Sequence, residues 1–271
     1  MSKKSSSFGD VLNSIFAPLA IIVAFLVAYY LYSTVMGNPV NFVEGNKHGS
    51  PLPGNYLGMI YKGGMIVPIL MTIVLVLLIF VIERAVTLAK VRGKANLKTF
   101  VANVQALLAE DKIEDAIVAC DKQKGSLANV LKAGLVRFRS LENDKELEKD
   151  QKITSMKQAL EEATALELPM LSKNMVILST IVSIAVLIGL IGTVLGMIRA
   201  FGALAQSGAP DALALATGIS EALINTAFGI TGSTLAVIFY NYFSSQIDDY
   251  TYKIDEAGFS LTQTFAASIR K

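Results

Sequence analysis

The chain has 271 residues with 24 basic and 22 acidic side chains, a net charge of +2, one cysteine and one histidine. It is 53% hydrophobic and only 17% charged, with a mean hydropathy of +0.52, a profile unusual for a soluble domain but natural for a chain with several long apolar stretches. The small net charge gives no argument for nucleic acid. Cys120 alone excludes an internal disulfide, and with His48 as the lone histidine a His/Cys metal site or a Ser-His-Asp triad has little to be made from, so no cofactor is expected.

Residues 1–14 open with a polar arm carrying Lys3 and Lys4. The stretch 15–36 is apolar and places Tyr29, Tyr30 and Tyr32 toward its far end, where aromatic rings favour a membrane interface. A signal peptide competes, because two lysines precede an apolar run. The run is longer than a signal peptide's usual apolar region and no convincing small-x-small cleavage site follows, so a retained transmembrane helix is preferred.

Residues 37–63 hold Pro39, Gly45, Gly49, Pro51, Pro53 and Gly54, the punctuation of a loop. The run NYLGMIY within it could lie along a membrane surface, but a plain loop is the preferred reading. Residues 64–84 form a second crossing with Pro68 inside it, ending in Glu83 and Arg84, which read as a pair at headgroup level.

From 85 to 173 the chain turns polar, with apolar residues at spacings of three and four that predict amphipathic helices burying a stripe on one another. Cys120 falls in one of them, IEDAIVACDKQ, as a small buried residue rather than a nucleophile. A longer helix is predicted to start near Asn143, with Glu146 as its capping partner, and to run to about Ala205 with Pro169 kinking it. The third crossing is 174–202, a short turn is 203–212, the fourth crossing is 213–243, and 244–271 continues as a helical tail. The predicted fold class is therefore all-α: a polytopic membrane protein with four transmembrane helices, the long ones extending into a cytoplasmic helical domain.

Basic residues mark the sides. Lys3, Lys4, Arg84, Lys90, Arg92, Lys94, Lys98 and Lys173 flank one set of helix ends, and only Lys47, Lys62 and Arg199 flank the other. Positive residues stay inside, so both termini and the helical domain are expected in the cytoplasm.

The third and fourth crossings carry more than an anchor needs. Gly189, Gly192, Gly196 and Ala200 gather on one face of the third, and Gly218, Ala222, Gly229, Ser233 and Ala236 repeat the device in the fourth. In lipid, small faces that allow close backbone approach hold helices together. Thr193, Thr217, Glu221, Asn225, Thr226, Thr231, Ser233 and Thr234 lie among them, and polar groups at such depth usually face a bundle interior or a wet path. No GxxxxGK[ST] phosphate loop is present, since GITGST lacks the lysine and the spacing, so an ion gradient is the remaining energy source for a membrane machine.

By helix rise, Thr193 and Thr226 both sit roughly 15 to 20 Å from the outer end and could face each other across one layer. Each could instead bond back to a carbonyl of its own helix and serve packing. Glu221 lies about 12 Å in and about 140° around the helix from Thr226, so the two need not face the same space. It reads either as a proton-handling group or as a structural hydrogen-bonding group.

GLIGTVLGMI in the third crossing, GISEALINTAFGI in the fourth, and Tyr240-Asn241 beyond them resemble the MotA/TolQ/ExbB proton channel family. The Glu-Arg end of the second helix and its internal Pro68 are similar to that family as well. The resemblance covers about Gly63 to Tyr250 and implies Thr193 and Thr226 as pore-lining threonines and Glu221 as the membrane glutamate. It implies a ring of identical subunits, a pentamer, around the single helices of an ExbD-, TolR- or MotB-like partner whose membrane aspartate carries the proton, with a TonB-like transducer and membrane lipids as further partners and no nucleic acid. Arg199 departs from the pattern, where a small polar residue is more usual, and is expected to snorkel to the outer headgroups. The extra first crossing departs from the three-helix ExbB and TolQ pattern and fits MotA, whereas the Glu-Arg end and GISEAL favour ExbB and TolQ. A secondary transporter would need internal repeats of broken helices, and a passive scaffold would tolerate loss of the polar residues.

Overall fold

A computed structural model describes residues 8–47, 49–142, 147–205 and 212–268. The arm residues Lys3 and Lys4, His48, Asn143 and Glu146, and most of the turn 203–212 lie outside the described residues. Among the described residues the chain is helical, with an isolated bridge between Phe42 and Pro51 and no strand. Helical stretches within 15–36, 66–109, 149–204 and 212–267 are long and apolar enough to cross a membrane, and the chain is a membrane protein.

Two compact units divide the chain, residues 1–81 with 176–240, and residues 82–175 with 241–271. In the first, helix α1 (Phe8–Tyr30) closes in a π-turn, Leu31–Met36. Its Ala20, Ala24 and Ala28 are buried at four-residue spacing, and Ala28 packs with Val67 and Met71 of α3 (Ile66–Arg92). Small residues on one face of α1 thus let it dock closely, while its large side chains, such as Leu19, Ile22 and Leu26, point outward. Pro68 sits in the first turn of α3, where its missing N–H leaves no helical bond unmade, so it does not break the helix.

Between α1 and α3 the loop is ordered. Asn41 donates to the carbonyls of Val35 and Met36, at 2.8 and 2.9 Å, and its Oδ1 accepts from Asn55 Nδ2 at 3.0 Å. Contrary to the plain loop expected for NYLGMIY, residues Tyr56–Tyr61 form a helix, α2, because the Asn55 side chain caps it by accepting from Gly58 N–H at 3.0 Å. Tyr61 stacks on Tyr32, ring centroids 4.7 Å apart, and fixes α2 to the start of the π-turn.

In the second unit α4 (Leu97–Ala109), α5 (Ile113–Gln123), α6 (Ser126–Glu142) and α7 (Lys149–Ser172) pack in consecutive pairs. The C-terminal part of α9 (Ala212–Ser268) lays Ile254, Leu261 and Phe265 into their core, with Phe265 against Phe138 at 4.6 Å. Helix α7 starts six residues later than expected from Asn143: Glu148 is its N-cap, in a capping box with Gln151, whose Oε1 accepts from Glu148 N–H at 3.0 Å. The helix is also not continuous with the third crossing. It passes through Pro169 and breaks at Lys173–Asn174, where Asn174 takes φ +62°, a left-handed conformation that asparagine tolerates, before α8 (Met175–Ala205) begins.

Glu83 and Arg84 explain that break. The two residues pair, as expected, and the pair is built into the protein: Arg84 is fully buried and holds Glu83 through Nε and Nη2 at 2.8 and 2.7 Å. Its Nη1 donates to the carbonyl of Leu171 at 3.3 Å, one of the last-turn carbonyls that α7 leaves without a helical partner. Asn174 Nδ2 and Thr87 Oγ1 then donate to the Glu83 carboxylate at 3.3 and 3.0 Å. Each of these backbone and carboxylate groups is thus answered within the protein.

Candidate functional site

The site lies in the first unit, where α8 and the first half of α9 pack face to face. Glycine and alanine make that contact close. A Cβ on Gly196 would stand 2.7 Å from Ala222 N and 2.8 Å from Gly218 O; one on Gly218 would stand 2.8 Å from Ala200 Cβ and from Gly196 O. Gly189 and Gly229 approach each other in the same way, a Cβ on Gly229 lying 2.9 Å from Gly189 Cα. Gly192 leaves room for the Asn225 side chain, whose Cγ is 2.6 Å from where its Cβ would be. Gly189, Gly192, Gly196, Gly218, Ala222 and Gly229 therefore lie in one seam.

That closeness brings Thr193 of α8 and Thr226 of α9 together. Their hydroxyls hydrogen-bond each other, and both side chains are half-buried. Each hydroxyl also reaches a carbonyl one turn back, Thr193 to Gly189 O at 3.2 Å and Thr226 to Ala222 O at 3.1 Å. Facing across one layer and bonding back within the helix, set as alternatives on sequence grounds, coexist. Two hydroxyl protons are shared among more acceptors than they can fill: Thr226 can donate to Ala222 O while Thr193 donates to Thr226, or Thr193 can donate to Gly189 O, or to Ala222 O at 3.4 Å, while Thr226 donates to Thr193. Such a pair can accept a hydrogen bond from water on one side and donate one on the other while itself staying uncharged.

Glu221 is turned elsewhere. Its carboxylate is 6% exposed and pairs with Arg199 Nη1 on α8, whose side chain is 55% exposed. Arg199 thus reaches across to the neighbouring helix instead of serving only as a headgroup contact. Gly64, at φ +74°, passes directly beneath the pair, and a Cβ there would overlap the carboxylate. One turn along α9, Asn225 is fully buried and donates to the carbonyl of Gly63 at 2.9 Å. Sequence reading missed both links, because they join residues far apart in the chain. Ser233 joins the two helices by donating to Val182 O of α8 at 2.7 Å, and Thr217, Thr231 and Thr234 bond back to their own helix at 2.7 to 2.9 Å. Among the described residues no cluster of histidine, cysteine and carboxylates is placed to hold a metal.

Comparison with known proteins agrees with the motifs. The model of the MotA/TolQ/ExbB proton channel family matches residues 122–256. The chain is 41% identical over 73 residues to the biopolymer transport protein ExbB of Salmonella typhimurium, a match covering 27% of this chain and 30% of that protein. It is 38% identical over 94 residues to the biopolymer transport protein ExbB-like 3 of Synechocystis, covering 34% and 45%, and 32% identical over 117 residues to the Tol-Pal system protein TolQ of Pseudomonas aeruginosa, covering 43% and 51%. The chain thus spans about half or less of the length of these relatives. Through residues 122–256, which contain the threonine pair, the glycine seam and the Glu221 carboxylate, this chain belongs to the MotA/TolQ/ExbB proton channel family.

Proposed function

We propose that this chain is the channel-forming subunit of an ExbB-ExbD type motor of the bacterial inner membrane, in which proton flow drives mechanical work for TonB-dependent transport at the outer membrane. The observation that carries the reading is the hydroxyl pair of Thr193 and Thr226, contributed by the two motif helices and held together by a glycine seam. Family membership supports it, as do relatives named ExbB. In this reading copies of the chain, five by resemblance, surround single-helix partners of the ExbD or TolR kind, and the partner's membrane aspartate exchanges its proton beside the two threonines. The termini and the segments 85–173 and 244–271 are cytoplasmic, as the basic flanks require.

TolQ-named relatives favour a second load, maintenance of the envelope through a Tol-Pal type system, served by the same threonine pair. Reconstitution tests both. The chain and the single-helix protein encoded beside it are co-purified, placed in vesicles filled with a pH-sensitive dye, and a proton gradient is applied. Flux that requires both chains and vanishes in Thr193→Val and Thr226→Val supports the channel; equal flux in wild type and both variants overturns it. Restored siderophore uptake in a host lacking its own ExbB, against restored detergent resistance in one lacking TolQ, identifies the load.

A further inference from the structure

We infer that Arg199 is a built-in counter-ion that fixes Glu221 in place, so that in this chain the membrane glutamate positions the outer end of the channel helices and is not the group that passes the proton. The inference rests on the channel reading above and assigns a role within it. Its grounds are geometric. Glu221 is almost wholly buried, and its Oε1 accepts from Arg199 Nη1 across the α8–α9 seam. A buried carboxylate is costly unless paired and hydrogen-bonded, and the arginine supplies a partner of opposite charge at contact distance. A proton carrier has to turn from one partner to the next; a carboxylate engaged by a guanidinium on the neighbouring helix is tied to a single partner.

Around the pair the backbone is shaped for it. Gly64 adopts a left-handed turn that L side chains disfavour, and it leaves the space in which the carboxylate lies. Asn225, one turn further along α9, donates to Gly63 O, so Arg199, Glu221 and Asn225 together clasp the entry to α3 against the two channel helices. Tyr32 is within electrostatic reach of both charges and is itself tied to Tyr61 O at 3.1 Å, which connects the clasp to the ordered loop 37–63. Thr193 and Thr226 bond to other partners and stand apart from this network.

A double-mutant cycle tests the assignment in the reconstituted complex, with thermal melting in detergent and dye-reported proton flux as the two readouts. Arg199→Gln and Glu221→Gln alone should each lower the melting temperature, the first more because it strands the buried carboxylate and the second because it removes the arginine's partner across the seam, and both should reduce flux. The double neutral variant should recover much of both, and Arg199→Lys should recover part. If the double variant regains its melting temperature but conducts no better than Glu221→Gln, the carboxylate itself handles the proton and the inference is overturned. Additive losses in the melting temperature would overturn it equally, by showing no pair. Absence of flux in the wild type would count against the channel reading alone, and the melting cycle would still decide the pair.

Discussion

Thr193 and Thr226 meet hydroxyl to hydroxyl across the seam between α8 and α9, and each keeps a carbonyl of its own helix within reach. The pairing depends on shape before polarity, since a glycine stands four residues before Thr193 and another three after it. Valine matches the shape of threonine but lacks the hydroxyl. Thr193→Val and Thr226→Val should therefore keep assembly, at a cost of about 1 kcal/mol each for the lost hydrogen bond, while proton flux falls to the level of protein-free vesicles. Co-purification of the partner with both variants, together with loss of dye response, is the expected pair of results; Thr193→Ser, which restores the hydroxyl, should restore flux.

The seam makes its own prediction. Gly196→Ala would press a methyl group against the backbone of Ala222 and Gly218, neither of which can rotate away. Overpacking of this kind costs about 1 to 3 kcal/mol, so the melting temperature followed by circular dichroism in detergent should fall clearly. Gly202 lies on the same helix with nothing within 4 Å of its would-be Cβ. Gly202→Ala should lose nothing, since alanine is the better helix former and meets no neighbour there, and an equal loss in the two variants would overturn the role given to the seam.

Much of this arrangement is legible in the chain because periodicity reports directly on faces. Small residues at spacings of three and four place Gly189, Gly192 and Gly196 on one side of α8, and counting in from the turn puts Thr193 and Thr226 at one depth. Pairing between distant residues leaves no such trace. Arg199 reads as an outer-end snorkel because its local sequence is apolar, and its partner Glu221 is on another helix. A signal was nonetheless present: Arg199 lies six residues before the end of α8 and Glu221 nine after the start of α9, opposite charges at similar depth on helices joined by one turn. The burial of Arg84 is hidden for the same reason, because the carbonyl that it caps, that of Leu171, is 87 residues away. Asn174 could be read as a helix breaker only once that cap was known.

Arg84 should accordingly be a stability residue. Removing it leaves Glu83 without its cation and Leu171 O without a donor, and breaking a buried pair from one side costs about 3 to 5 kcal/mol. Arg84→Ala is expected to melt well below the wild type or to fail to accumulate in the membrane. Arg84→Lys should rescue little, since an ammonium cannot hold both Glu83 oxygens and a carbonyl in one plane. Arg84→Met with Glu83→Gln, which removes both charges, should recover a large part of the loss. Denaturant titration in detergent, following helicity, would read all three.

Cys120 gives a test of the second unit by pH. The side chain is 2% exposed in the core face of α5, and burial pushes its thiol up to about 12, with Asp121 adding to the shift and Lys132 opposing it. An unfolded thiol titrates near 8.5. Between those two values the folded chain holds a proton that the unfolded chain has lost, so this contribution to stability is whole below about 8.5 and is lost as pH rises toward 12. The difference in unfolding free energy between wild type and Cys120→Ala should be constant from pH 6 to about 8 and shrink above it, if the thiol is the group responsible. Because the sequence has a single cysteine, alkylation reads the same group directly: at pH 8 iodoacetamide should label the folded protein far more slowly than the protein unfolded in SDS, since thiolate is the reactive form. Labelling of the folded chain at the unfolded rate would show that α5 opens freely in the native state and that the packing of α4 to α7 is not the stable core it forms here.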